Sequence, residues 1–329
     1  MPLTLHLGTD DLTRCRFAVS PLCQTHEALR MLRRPSRHAY HRAWLRRVRA
    51  TVAGLDLSLL WLFMPRPGGY TPDFLGPPPE SPCPAFEEEL ARMRATDPGM
   101  ARTEMARSLA CTPGAARSPH ARAALDDPAD AVRRLADLTE RAWHALLAPD
   151  WPRHRALLEA DVAHRSRQLA DGGLEALFDD LHPGIHWAGN ALTLRMYGDL
   201  QDAQGPDGRG VLLMPSVFVW PDVVSGFARP WQPTVIYPAR GMGGLPQSAR
   251  TGTPEALARL LGHHRAAILA GLDAPASTTA LADRHGLAPS SVSAHLSVLR
   301  ESGLLVSHRR GYHVLYERTA LGDAVADGT

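Results

Sequence analysis

One stretch near the end of the chain, from Ser277 to Arg318, limits the possible folds more than any other part of the sequence. Apolar residues between Thr278 and His285 predict a short helix that follows a Ser/Thr cluster and stops at Gly286. Leu287 can pack the turn onto the core, and Pro289 fits the first turn of a second helix, where its missing N–H costs nothing. The pattern therefore predicts two helices joined by a turn of three or four residues.

The second of these helices has one apolar face, because Val292, Leu296 and Leu299 recur at helical spacing. The opposite side carries small residues, which can approach base edges and phosphates closely. These residues are Ser290, Ser293, Ala294 and Ser297. The second helix is therefore the one expected to read a nucleic acid.

Two β-rich runs follow the second helix, Leu304 to His308 and Tyr312 to Glu317, with Arg309, Arg310 and Gly311 between them. They predict a hairpin with two arginines at its tip. A basic tip beside such a helix is what contact with a phosphate or the minor groove requires. The order of elements predicts a winged helix-turn-helix; the alternative is an ordinary small α+β core with a charged hairpin tip.

Three short motifs carry a resemblance to a known family. They are Leu281-Ala282 in the first helix, Ser293-Ala294-His295-Leu296-Ser297-Val298-Leu299 in the second, and Gly303-Leu304-Leu305 before the hairpin. In these motifs, about the last quarter of the chain resembles the DNA-binding domain of ArsR-type transcriptional regulators. The region before it resembles the one attached to such domains in a group of actinobacterial ArsR-like regulators, at Arg16 to Leu22, Gly69 to Leu75 and Trp231 to Gly241.

The pattern and the resemblance together predict a sequence-specific regulator, a repressor, that binds double-stranded DNA as a homodimer. The candidate DNA-binding residues are Thr278, Thr279, Ser290, Ser291, Ser293, Ala294, His295, Ser297, Arg309 and Arg310. For His295, packing within the domain is an alternative to a phosphate contact. The metal sites that the resemblance implies have no counterpart, because the first helix lacks Cys and the end of the chain lacks His, so we expect no metal and no cofactor.

A chain of 329 residues is too long for one winged helix and predicts two or three domains. From its predicted helices and strands, the fold class is α+β. We predict a mainly helical domain over residues 1–180, a small β-rich module over 181–245 and the winged helix over 253–322. The net charge of +2 does not by itself indicate a nucleic-acid partner. Any contact with DNA must therefore come from local clusters of basic residues. Apart from histidine, every basic residue is arginine, because the chain contains no lysine.

The most basic stretch lies between Glu27 and Asp56, where the sequence holds many arginines and no acidic residue. A helix from Ser36 to Ala53 is predicted there. This helix is either a second phosphate-contacting face or a solvated helix face in an arginine-only protein.

Periodicity predicts further elements along the chain. The predicted strands are Leu3–Leu7, Cys15–Val19, Ile185–Trp187, Ala191–Tyr197, Val211–Val219 and Thr234–Tyr237. The predicted helices are Pro21–Leu32, Ala85–Ala95, Gly99–Ala110, Ala129–Leu147, Trp151–Phe178 with a break at Gly172-Gly173, and Pro254–Leu272 after a linker over 241–252.

The β-rich module concentrates aromatic residues. Trp187, Trp220 and Trp231, with Tyr237, are candidates to line a pocket for a small-molecule effector, since such pockets favour domain interfaces. The alternative, plain core packing, is the commoner role of large aromatics at strand spacing.

The sequence offers little support for an enzyme. No G-x-G-x-x-G, G-x-S-x-G or H-E-x-x-H motif occurs, so we expect no catalytic residues. The chain has neither a leader pattern at its first residues nor an apolar run long enough to cross a bilayer, which predicts a cytoplasmic protein without a membrane partner. The alternative function is a protein-interaction module or enzyme whose winged helix docks a partner.

Overall fold

The computed structural model describes residues 3–33, 41–65, 69–195, 205–220, 222–226, 229–240, 255–272, 275–310 and 313–327. Helices and strands are mixed, so the predicted α+β class is confirmed. The chain divides into two compact units, one of Met1–Arg34 with Val48–Arg240 and one of Pro35–Arg47 with Gly241–Thr329. The predicted helix start at Ser36 and the predicted linker over 241–252 lie outside the described residues.

Helices make up most of the first unit. They are α1 Thr9–Thr13, α2 Pro21–Leu32, α3 Arg42–Ala53, α4 Ser58–Phe63, α5 Phe86–Arg94, α6 Pro98–Ala110, α7 Pro119–Asp126, α8 Pro128–Leu146 and α9 Trp151–Asp179. The division between the two units falls within α3. Several of these helices begin with a capping residue that is followed by proline. The Ser20 hydroxyl accepts a hydrogen bond from the Cys23 backbone N at 2.9 Å, and the Asp97 carboxylate accepts one from the Met100 backbone N at 2.9 Å.

The long helix α9 is interrupted where the sequence predicted a break. Gly173 has φ 69° and ψ −163°, a conformation that only glycine adopts without strain. The last turns of α9 therefore change direction, and Leu177 and Phe178 enter an apolar cluster with strand residues Leu192 and Leu194.

Two sheets complete the first unit. One has the order β1–β4–β3 and is antiparallel, from β1 Leu3–His6, β3 Ile185–Ala188 and β4 Ala191–Leu194. The other has the order β2–β5–β7–β6, from β2 Arg16–Phe17, β5 Leu212–Ser216, β6 Val224–Gly226 and β7 Thr234–Pro238; its first three strands are parallel, and β6 runs antiparallel to β7. Each sheet therefore contains strands from both sides of residue 180. The division into a domain over residues 1–180 and a module over 181–245 stays a prediction.

A buried polar network fastens the end of β7 to α9. Asp161, whose side chain is fully buried, accepts a hydrogen bond from the Tyr237 hydroxyl at 2.8 Å and one from the Arg240 backbone N at 3.0 Å. The buried Arg165 places its Nε 3.7 Å from Asp161 and donates to Asp180 at 2.8 Å. One carboxylate thus holds a tyrosine, an arginine and a main-chain amide.

The second unit contains α10 Glu255–Leu261, α11 His263–Gly271, β8 Ala276–Ser277, α12 Thr278–His285, α13 Pro289–Glu301, β9 Leu305–Arg310, β10 His313–Arg318 and α14 Ala320–Asp327. The prediction of one helix from Pro254 to Leu272 was wrong, because the backbone at Gly262 (φ 83°, ψ 148°) separates α10 from α11. The core of the second unit combines residues of α10 and α11 with Leu281, Val292, Leu296 and Leu305. Throughout the described parts of the chain, each helix is too short or too polar to span a lipid bilayer.

Candidate nucleic-acid interface

Helix α12 has the start and end that the sequence predicted. The Ser277 hydroxyl accepts from the Ala280 backbone N at 3.2 Å, which caps the first turn. Gly286 ends the helix in the left-handed region at φ 62°, and the Leu287 N donates to the Ala282 carbonyl at 3.0 Å. Leu287 packs against the core, so the turn is held closed.

Helix α13 turns its apolar stripe inward. Val292, Leu296 and Leu299 are buried, as predicted. Of the candidate DNA-binding residues, Ser290, Ser291, Ser293 and Ala294 are exposed, whereas His295 and Ser297 are partly buried. Thr279 at the start of α12 is exposed and Thr278 is partly buried.

The hairpin pairs β9 with β10, and both arginines are the last residues of β9, next to the two residues that connect the strands. Arg310 lies opposite His313 and Arg309 lies opposite Val314, so both arginines belong to β9. Because side chains alternate along a strand, Arg309 shares a face with Leu305 and with Tyr316, which packs on the core. The Arg309 side chain is exposed; that of Arg310 lies outside the described part of the chain.

The base of the hairpin is fixed by features that the sequence did not indicate. The short β8 pairs with β10, Ser277 opposite Leu315, and so joins the start of α12 to the hairpin. The fully buried Arg318 places its Nε 3.0 Å from Asp323 of α14 and donates from Nη1 to the Leu269 carbonyl of α11 at 3.2 Å. In the sequence, Arg318 is a single arginine at the end of a strand, and nothing there distinguishes a buried arginine from an exposed one.

Histidines lie where α11, α12 and α13 meet. The rings of His264 and His295 are stacked with centroids 5.8 Å apart, and Nε2 of His285 is buried without a hydrogen-bond partner among the described residues. Partial burial, helped by the positive charge of Arg284 and by His264, lowers the pKa of His285. Partial burial, with His264 and Arg265 as further causes, also lowers the pKa of His295.

These lowered pKa values predict a loss of stability in mild acid. Below the usual histidine pKa of 6.5, His285 and His295 bind protons in the unfolded chain but stay neutral in the folded unit. The free energy of unfolding therefore falls as the pH is lowered through 6.5. We expect the thermal midpoint of the second unit to fall between pH 7 and pH 5, and to fall less in a protein with both His285→Gln and His295→Gln. Equal pH dependence of the two proteins contradicts this prediction.

The four aromatic residues considered for an effector site have different surroundings. Tyr237 is fully buried, and Trp187, which stacks on Phe178 with centroids 5.3 Å apart, packs against the same apolar cluster as Tyr237. The Trp220 and His182 rings meet edge to face with their centroids 6.2 Å apart, and the Trp231 Nε1 donates a hydrogen bond to Glu104 Oε1 at 3.5 Å. Binding of an effector by this set stays a prediction.

Two family models match separate stretches of the chain. Residues 263–308 match a family model described as a helix-turn-helix domain, and residues 80–243 match one described as a family of unknown function, DUF5937. No curated protein and no solved structure gives a significant match. The helix-turn-helix match covers α11, α12, α13 and part of β9, and it supports a DNA-binding transcription regulator.

Proposed function

We propose that the protein is a sequence-specific transcriptional repressor of the ArsR type, which binds double-stranded DNA as a homodimer through its second unit. The observation that carries this proposal is the arrangement of α12, the Gly286 turn and α13. It leaves a row of exposed small residues on one helix, with a hairpin bearing two arginines in the same compact unit.

Dimerisation follows from the small reach of one recognition helix, which contacts only a few base pairs. Part of the dimer interface belongs, in this proposal, to the region before residue 245. A small-molecule effector that binds there would regulate the protein only if it bound the DNA-competent and incompetent states unequally.

The test of this proposal is binding of the full-length protein to duplex DNA at several salt concentrations. We expect operator affinity to fall linearly with the logarithm of salt concentration, because the binding of basic side chains to phosphates releases counterions. Two protected half-sites centred about 10 bp or a multiple apart are expected in a footprint. A winged helix that only docks a protein partner would show neither result.

The hairpin supplies a prediction of its own. Replacing both Arg309 and Arg310 with Ala should weaken binding to all DNA sequences alike and reduce the salt slope by about 0.9 for each phosphate that the variant no longer neutralises. The matched control replaces Arg133 and Arg134 of α8, two adjacent exposed arginines whose side chains are 61% and 55% exposed. An unchanged slope in the hairpin variant would place the hairpin outside the DNA interface.

A further inference from the structure

The outward face of α13 has an unusual chemistry for a helix that reads bases. Ser290, Ala294 and Val298 are each one turn apart, so they follow one another along the exposed side of the helix. Val298 is 40% exposed although it is a large apolar residue. The helix thus exposes methyl groups along the line that begins at Ser290.

The side chains that usually recognise purines do not occur on this face. From Pro289 to Leu299 the sequence contains no Arg, Lys, Asn or Gln, which are the residues that bond guanine or adenine in a bidentate manner. Arg300, in the last turn of α13, is exposed, but it lies on the side of Ser293 and not in line with Ser290, Ala294 and Val298. His295 is partly buried and stacks on His264 of α11. Serine hydroxyls remain, and they donate to and accept from any base, so they discriminate weakly.

Thymine is the base that fits such a surface. Its C5-methyl group is the one apolar group that the base pairs present in the major groove, and side chains such as alanine make apolar contact with it. We infer that α13 selects operators chiefly through thymine methyl groups packed against Ala294 and Val298, with the exposed serines as adaptable hydrogen-bonding partners. This inference rests on the proposed function, because it requires α13 to enter the major groove.

The experiment begins with duplexes that carry a random region of about 40 bp, long enough for two half-sites one or two helical turns apart, from which the full-length protein selects its own sites. We expect thymine at the enriched major-groove positions. The enriched duplex is then made once with thymine and once with uracil, which lacks only the methyl group. Uracil should weaken binding about fourfold for each contacted methyl, the equivalent of about 0.8 kcal/mol for a buried methyl-sized group.

Variants connect the effect to the helix. Val298→Ala keeps good helix propensity and should reduce the difference between the thymine and uracil duplexes. Leu321→Ala, at a position of α14 that is 55% exposed, is the control and should leave that difference unchanged. A reduced difference in the first variant alone supports the inference.

The opposing results are distinct. Equal affinity for thymine and uracil duplexes, or enrichment of sites without thymine, overturns the inference and leaves DNA binding intact. Failure to bind any duplex in the selection overturns the proposed function, and with it the inference.

Discussion

Replacing Ser293 with tryptophan is expected to reduce operator affinity to the level of nonspecific binding, about a thousandfold or more below that of the original protein. Ser293 is exposed on α13, between the buried Val292 and the outward Ala294. An indole at this position holds the helix away from base edges, so that several bases go unread at once. Operator and random duplexes are titrated with each protein under the same salt conditions.

The thermal midpoint of the Ser293→Trp protein should stay close to that of the original, because substitutions at exposed sites change stability by about 0.5 kcal/mol or less. Ser166→Trp is the matched control, since Ser166 is an exposed helical serine of the first unit. It should bind the operator normally. A large loss of stability in the Ser293 variant would instead assign Ser293 to the core.

The largest expected effect on stability is that of Asp161→Ala in the first unit. This change removes the acceptor of the Tyr237 hydroxyl and the Arg240 backbone N, and it takes a negative charge away from the buried Arg165. Breaking a buried pair by deleting one partner costs about 3–5 kcal/mol. Because Arg165 keeps its hydrogen bond to Asp180, we expect a loss near the lower end of this range. Urea unfolding of the first unit should report a loss of this size.

Milder substitutions keep this prediction measurable if Asp161→Ala prevents folding. Tyr237→Phe deletes one hydroxyl, and we expect a loss of about 1–3 kcal/mol because an acceptor oxygen of Asp161 stays buried. Asp171→Ala, at an exposed position of the same helix, should change stability by about 0.5 kcal/mol or less. A loss from Asp161→Ala no larger than that from Asp171→Ala would contradict the role given to the network.

Features set by neighbouring residues were predictable from the sequence. The bounds of α12, the left-handed Gly286 and the position of Pro289 in α13 depend on capping and on backbone freedom, which a few residues determine. The exposure of the serines on α13 follows from the spacing of its apolar stripe. Val298 was not singled out, because a valine in a helix is usually core.

Features set by distant residues were not predictable. The two-residue β8 is a strand only because β10 pairs with it, and the three-residue β6 depends likewise on β7. Cross-strand register places Arg309 opposite Val314 and Arg310 opposite His313, and composition does not reveal which residues pair. The separation of α10 from α11 is instead a local feature, since it lies in the backbone angles of Gly262, φ 83° and ψ 148°.

The pairing of β1 with β4 has a consequence for synthesis of the chain. Leu3 lies opposite Leu194, so β1 waits for its partner until nearly the whole first unit has left the ribosome. At about 5–20 residues per second this delay is about 10–40 s. Strands β8, β9 and β10 lie between Ala276 and Arg318, and their pairings close over a much shorter length of chain. During translation, the segment Leu3–His6 therefore depends on protection from aggregation for much longer than the strands of the second unit do.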